Sequence, residues 1–368
     1  MFSDLLKGYD FGAMTARIND VTRSEALAVM AKEVIGTDDL PALFSEAAAE
    51  FLEGMAIRAA KITRDRFGNV MQLYSPLYLS NECDNSCLYC GFSRRNNHLL
   101  RRTLSLSEAE DELKAIEAMG VRHILFVCGE APRKVTVQYL IDILKIAGGY
   151  FSFKGVEIYP LDENGYMALV DAGANGVTVY QETYNSARYA EVHPSGRKKD
   201  MTWRLDALDR GGRAGMRTLG VGALLGLDDP RTDAFFVAAQ AAYLAKTYWR
   251  SHITISFPRM RPAEGCLVTP VKVDDKMFVQ FILAARLALP EAGIVVSTRE
   301  NALLRDNLAG LGATQMSAAS VTTPGGYAAK KDSAVQFQVE DNRSVAEFAS
   351  MLAEKGFTPV MKDWDKEL

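Results

Sequence analysis

From residue 76 onward the chain alternates short apolar runs with helix-patterned stretches, and this alternation restricts the possible folds more than any other feature. The runs are 77–79 (Leu-Tyr-Leu), 123–127 (His-Ile-Leu-Phe-Val), 155–159, 176–180, 218–224, 252–257, 293–297 and 314–318. Between them, 107–120 opens on an acidic turn and ends at Gly120, 229–249 is alanine-rich behind an aspartate, and 274–289 stops before Pro290. Strands alternating with helices argue for parallel pairing, because parallel neighbours need crossover connections rather than tight turns. Eight runs with seven good crossovers in about 250 residues predict an α/β fold, a (β/α)8 TIM-type barrel. A doubly wound open sheet, or a barrel of fewer strands, meets the same pattern. Ahead of the barrel (73–322), residues 1–72 read as a helical extension. Behind it, 323–368 reads as a C-terminal α/β extension packed on the barrel, with a strand at 336–340 and a helix reaching Lys355. The chain has 368 residues, 48% of them hydrophobic, enough for one large core.

Three cysteines fall within eight residues, Cys83, Cys87 and Cys90, in Cys-Asp-Asn-Ser-Cys-Leu-Tyr-Cys. Three thiolates on one loop can hold three irons of a [4Fe–4S] cluster and leave the fourth iron open to bind and reduce a small molecule. A zinc site wants a fourth Cys or His at a regular offset, which His98 does not supply. A disulfide framework fits poorly with five cysteines in a long chain without a secretory leader. Cys128 and Cys266 stand apart and read as small apolar fillers. A cluster and reduced thiols suit the cytoplasm. The net charge of −4 gives no general polyanion surface and no reason to expect nucleic acid, and no run of about 20 apolar residues predicts a membrane span. The basic run Arg94, Arg95, Arg101 and Arg102 is either a solvated face or a contact for the carboxylate of a cosubstrate or for an acidic electron donor.

The Cys-x3-Cys-x2-Cys spacing resembles that of radical S-adenosylmethionine (SAM) enzymes, in which SAM chelates the open iron. Active sites of parallel α/β folds lie beyond the C-terminal strand ends, and polar residues collect there. The second run leads into Gly129-Glu130, where a glycine lets backbone approach and acceptors can meet the SAM ammonium. The pair looks like the family's glycine–glycine–glutamate motif, with Cys128 in place of the first glycine. Glu182 can accept both ribose hydroxyls. Arg204 offers a planar fork for the SAM carboxylate or a plain salt bridge. Tyr89 can cover the adenine or simply pack the barrel mouth. Gly220, Gly222 and Gly226 leave room for adenine against backbone. Arg259 and Arg261, two apart and so on one side of an extended segment, can clamp an amino-acid carboxylate or pair with nearby acids. Tyr78 can meet a substrate amine or pack the core.

Several stretches narrow the resemblance: Leu77-Tyr-Leu-Ser-Asn, Cys87-Leu-Tyr-Cys-Gly-Phe-Ser, Val179-Tyr-Gln-Glu-Thr-Tyr, Trp203-Arg-Leu-Asp-Ala-Leu-Asp-Arg, Ser256-Phe-Pro-Arg-Met-Arg-Pro, Ser297-Thr-Arg-Glu, Pro324-Gly-Gly-Tyr and Lys362-Asp-Trp-Asp. From about residue 20 onward the chain resembles the 2-iminoacetate synthases, the tyrosine lyases of thiamine biosynthesis. The resemblance implies that a 5′-deoxyadenosyl radical takes hydrogen from the amino group of L-tyrosine, whose Cα–Cβ bond then cleaves to 2-iminoacetate (dehydroglycine) and p-cresol. It implies Cys83, Cys87 and Cys90 as cluster ligands and Glu130, Glu182 and Arg204 as SAM ligands, with Tyr78, Arg259 and Arg261 as candidates for tyrosine. It also implies thiazole synthase as recipient of the imine and a flavodoxin or ferredoxin as reductant. The tyrosine-cleaving hydrogenase maturases are similar through the barrel but add a cysteine-bearing C-terminal domain. Here no cysteine follows Cys266, which disfavours that alternative. A tryptophan lyase and a non-catalytic iron–sulfur scaffold are the remaining alternatives.

Overall fold

In the computed structural model, which describes residues 1–328 and 335–362, eight parallel strands close into a barrel. They are β1 (Val70–Ser80), β2 (His123–Cys128), β3 (Phe153–Glu157), β4 (Gly176–Glu182), β5 (Thr218–Ala223), β6 (His252–Ser256), β7 (Gly293–Val296) and β8 (Gln315–Ser317). Closure falls to β1, which pairs with β2 along 75–80 and with β8 along 72–74. Outward positions such as Ile124, Phe126, Val177, Leu219, Ile253 and Ile255 are buried under the surrounding helices, and each such side chain contributes roughly 1.5–3 kcal/mol. The crossover helices start where local chemistry permits. Ser105 and Glu108 form a reciprocal capping box ahead of Leu106–Ala118. Asp229 caps Pro230–Thr247, whose proline occupies the first turn.

The inside of the barrel departs from the usual filling by bulky branched residues. Successive inward positions, two apart along each strand, read Gln72-Tyr74-Pro76-Tyr78, His123-Leu125-Val127, Phe153-Gly155-Glu157, Gly176-Thr178-Tyr180 and His252-Thr254-Ser256-Pro258. Polar groups and glycines therefore replace the packed interior. The outcome is space stacked along the axis: a lower cavity of about 590 Å³ near the strand starts and an upper one of about 480 Å³ near the strand ends. Tyr74, Leu125 and Tyr180 line both and form the partition.

The extensions differ from the sequence expectation in two ways. The barrel begins at Val70, within the stretch read as helical, because Val-Met-Gln-Leu-Tyr-Ser runs straight into the expected first strand. Ahead of it the N-terminal segment is indeed helical, ending in Leu52–Phe67. In the tail the expected strand at 336–340 is irregular. Its amides donate to three separate loops, Gln336 to the Thr322 carbonyl, Gln338 to Pro262 and Glu340 to Thr298. Alternating polarity without a partner strand makes no ladder. The helix is Val345–Glu354, and the tail's strand is β9 (Thr358–Val360), which pairs with the start of β1. Of the Lys-Asp-Trp-Asp motif, residues 363–365 lie outside the described residues. No helix among the described residues is long and apolar enough to cross a membrane.

Candidate active site

The cysteine loop leaves β1 and is held from several sides. Arg101 donates to the carbonyls of Asn81, Phe92, Ser93 and Asn96 at 2.7–3.1 Å, so this member of the basic run clamps the loop. Arg102 pairs with Glu108, while Arg94 and Arg95 are exposed. Gly129 follows β2 and touches the loop directly. A Cβ there would meet the Cys83 Cβ at 3.1 Å and crowd the Glu82 backbone, so any larger residue would displace the first cysteine. Asp84 donates its amide to the Glu130 carbonyl at 2.8 Å, and the Glu130 carboxylate accepts from Asn85 Nδ2 at 2.7 Å. Gly129 and Glu130 thus brace the loop where a SAM-binding role was expected of them.

The three thiols sit together. Burial raises all of them, Cys87 to about 12 and Cys90 to about 11; the Lys198 ammonium pulls each down, backbone amides of Asn85 and Glu130 pull down Cys83, and neighbouring cysteines push up Cys87 and Cys90. Three mutually close, desolvated thiols from one loop suit a cluster, whose irons would take the protons' place. No three Cys, His, Asp or Glu side chains among the described residues converge on a single-ion centre. A cluster does not require that, because it gives each thiolate its own iron.

Glu182 ends β4 in a left-handed conformation, φ 77°, at a bulge against β5. Such backbone in a non-glycine residue costs of order 1–3 kcal/mol and concentrates at functional sites. It turns the carboxylate toward Lys198 Nζ at 2.5 Å and Arg204 at 3.3 Å. Burial pushes this carboxyl up, but the two cations more than offset it and hold it below the usual range. Arg204 also donates to the Tyr180 carbonyl. Tyr89 is fixed by its hydroxyl, 2.8 Å from His193 Nε2, whose Nδ1 side meets the Tyr189 carbonyl. Cys90, Tyr89, Glu182 and Lys198 line a further cavity of about 560 Å³, which shares Glu157, Tyr180 and Arg299 with the upper barrel cavity. The two form one charged mouth.

On the substrate side the expected residues fall in different surroundings. Arg259 lines neither cavity of the mouth. Its donors are saturated by Glu300, Asp275 and the Val273 carbonyl, and it lies over Phe278. Two carboxylates and one backbone carbonyl thus hold this guanidinium away from the mouth. Arg261 does line the mouth; it touches Glu300 at 2.9 Å and keeps a buried Nε without a partner. The cation fully committed to the cavity is Arg299, three residues past β7. It stacks on Phe337 at 3.4 Å and has no carboxylate partner among the described residues. Burial lowers its pKa, with Tyr78 and Glu157 only partly compensating. Tyr78 lines the cavity with its hydroxyl donating to Gln336 at 2.7 Å.

Glu157, Lys198, Gln336 and Phe337 were not singled out from sequence. Glu157 was detectable in principle, as a lone charge on the inward face of a buried strand. Burial pushes its carboxyl up to about 7, against a smaller pull from Arg299.

Comparison with known proteins agrees with this geometry. Residues 77–234 match the radical SAM superfamily model, and residues 256–358 match the Biotin and Thiamin Synthesis associated domain. The chain is 42% identical over its full length to the 2-iminoacetate synthases of Salmonella typhimurium and Escherichia coli, covering 97% of each. Among solved structures, the FeFe-hydrogenase maturase HydG from Carboxydothermus hydrogenoformans superposes with a TM-score of 0.89 at 36% identity, over 98% of this chain and 85% of that one.

Proposed function

We infer the reaction from the family: the chain belongs to the 2-iminoacetate synthases of the radical SAM superfamily. It is a lyase that cleaves L-tyrosine between Cα and Cβ to 2-iminoacetate and p-cresol and so supplies thiazole formation in thiamine biosynthesis. Cys83, Cys87 and Cys90 would hold a [4Fe–4S] cluster, beside which Glu182, Arg204 and Tyr89 are grouped for SAM. When bound, the cluster and SAM supply one electron and the 5′-deoxyadenosyl radical that takes hydrogen from the substrate nitrogen.

The chain's own residues do the rest. Arg299 presents a planar fork to the tyrosine carboxylate, in a mouth where burial strengthens the pairing, and Arg261 Nε is a second donor beside it. Glu157 faces the same space. A carboxyl that titrates near 7 can take the ammonium proton, leaving the amine neutral for hydrogen abstraction. Phe337 and Gln336 cover the mouth and restrict water. The observation that carries this assignment is the continuous charged cavity from Cys90 to Arg299, which pairs a cluster loop with an amino-acid-shaped set of charges.

The test is anaerobic incubation with SAM, dithionite and tyrosine. 5′-Deoxyadenosine and p-cresol in step are expected; a reducible cluster that leaves SAM intact would identify a scaffold instead. Tryptophan in place of tyrosine separates the lyase subclasses, and assaying carbon monoxide separates a maturase-like outcome. A flavodoxin or ferredoxin fits as reductant, thiazole synthase fits as the recipient of an imine that water destroys, and the cytoplasm fits the thiols and the cluster.

A further inference from the structure

The lower barrel cavity belongs to no part of the reaction described so far. It lies on the barrel axis and is lined by residues of all eight barrel strands. It exists because Gly155, Gly176 and Gly220 stand where side chains would fill it; a Cβ on Gly176 would come 2.9 Å from Thr218 Cβ. Among the described residues its lining contains no Asp, Glu, Lys or Arg. The faces are aromatic, with Phe153, Tyr74, Tyr180 and the His123 ring, which lies 4.0 Å from Phe153.

His123 is buried, and burial pulls it down to about 3, so it is neutral. The Gln315 side-chain amide lies 3.2 Å from its Nε2 and can only donate through that nitrogen. The imidazole proton is therefore on Nδ1, and Nδ1 has no partner among the described residues. A buried donor without a partner forfeits a hydrogen bond, which a ligand oxygen would restore. Charge decides which ligand. The imine product carries a carboxylate, and an anion moved into a site without a cation loses its hydration uncompensated. A phenol, with a pKa near 10, stays neutral. It brings an aromatic face for the rings and an oxygen that accepts from Nδ1–H.

We propose that this chamber is a second ligand site, selective for a small neutral para-alkylphenol, the class to which the p-cresol co-product belongs. It lies behind the Tyr74–Leu125–Tyr180 partition and opens at the strand starts, where His252 is exposed. The identification of the ligand rests on the lyase reading; the site's selectivity does not.

The experiment is equilibrium dialysis of the cluster-loaded protein, without reductant, saturated with SAM and tyrosine so that the mouth is occupied. Saturable p-cresol binding is expected under these conditions, with glyoxylate, an anion shaped like the imine product, failing to compete. Thr254→Leu, which fills the chamber from β6, should weaken p-cresol at least tenfold. His123→Phe should weaken p-cresol about tenfold and leave toluene, which lacks the hydroxyl, unchanged. Binding that tyrosine abolishes, that glyoxylate displaces, or that neither variant alters would overturn the proposal. A chain that binds p-cresol here yet makes none from tyrosine would keep the site and lose the lyase reading. The converse would lose the site alone.

Discussion

The mouth and the lower chamber share eight strands and three partition residues, yet their chemistry is opposite. In the mouth, Glu157, Glu182, Lys198, Arg261 and Arg299 face inward; below the partition the inward positions are His, Gln, Thr, Ser, Tyr, Phe, Leu and Gly. One strand shows the change within five residues: β3 places Phe153 and Gly155 below and Glu157 above. The lesson is that charge inside this barrel follows function rather than the fold. A neutral interior is compatible with closure, so the barrel does not require the charges gathered at one end, and Arg259, just past β6, stays outside both cavities of the mouth, paired with Glu300 and Asp275.

The contrast can be broken at several points. Cys87→Ala should have the largest effect, abolishing both iron loading and 5′-deoxyadenosine formation; normal turnover by that variant would remove the cluster assignment. Arg259→Met leaves Glu300 buried without its main partner and should cost about 3–5 kcal/mol in denaturant unfolding, while tyrosine KM in the folded fraction stays put. A raised KM there would return Arg259 to the site. Glu157→Gln sharpens the proton argument. The folded carboxyl titrates near 7 and the unfolded one near 4.5, so between those values the native state holds the extra proton and wild-type stability falls as pH rises. The variant lacks that slope and should gain on wild type by up to about 3 kcal/mol between pH 5 and 8, read from paired urea titrations. A constant difference would place Glu157 in water. Arg299→Lys keeps the charge but loses the fork, and should lower kcat/KM for tyrosine about 30-fold, roughly 2 kcal/mol, with SAM binding unaltered.

Much of the barrel was legible because it rests on local rules. Strand periodicity, capping residues and crossover lengths located all eight strands, and Cys83, Cys87 and Cys90 lie together as their spacing implied. What sequence did not show depends on contacts between distant segments. Arg259 and Arg299 are both arginines just beyond strand ends. Only the positions of Glu300, 41 residues from Arg259, and of Asp275, 16 residues from it, decide which one is neutralised. Lys198 was one basic residue in a row of three until β4's bulge brought Glu182 to it. The 336–340 segment has a strand's pattern, but its partners are three loops.

That segment has a consequence for how the protein is made. Gln336 and Phe337 roof the mouth from a stretch that follows the eighth barrel strand, and β9 completes the sheet later still. The barrel can therefore close before its roof is in place, and until 336–337 pack over the mouth, water enters freely.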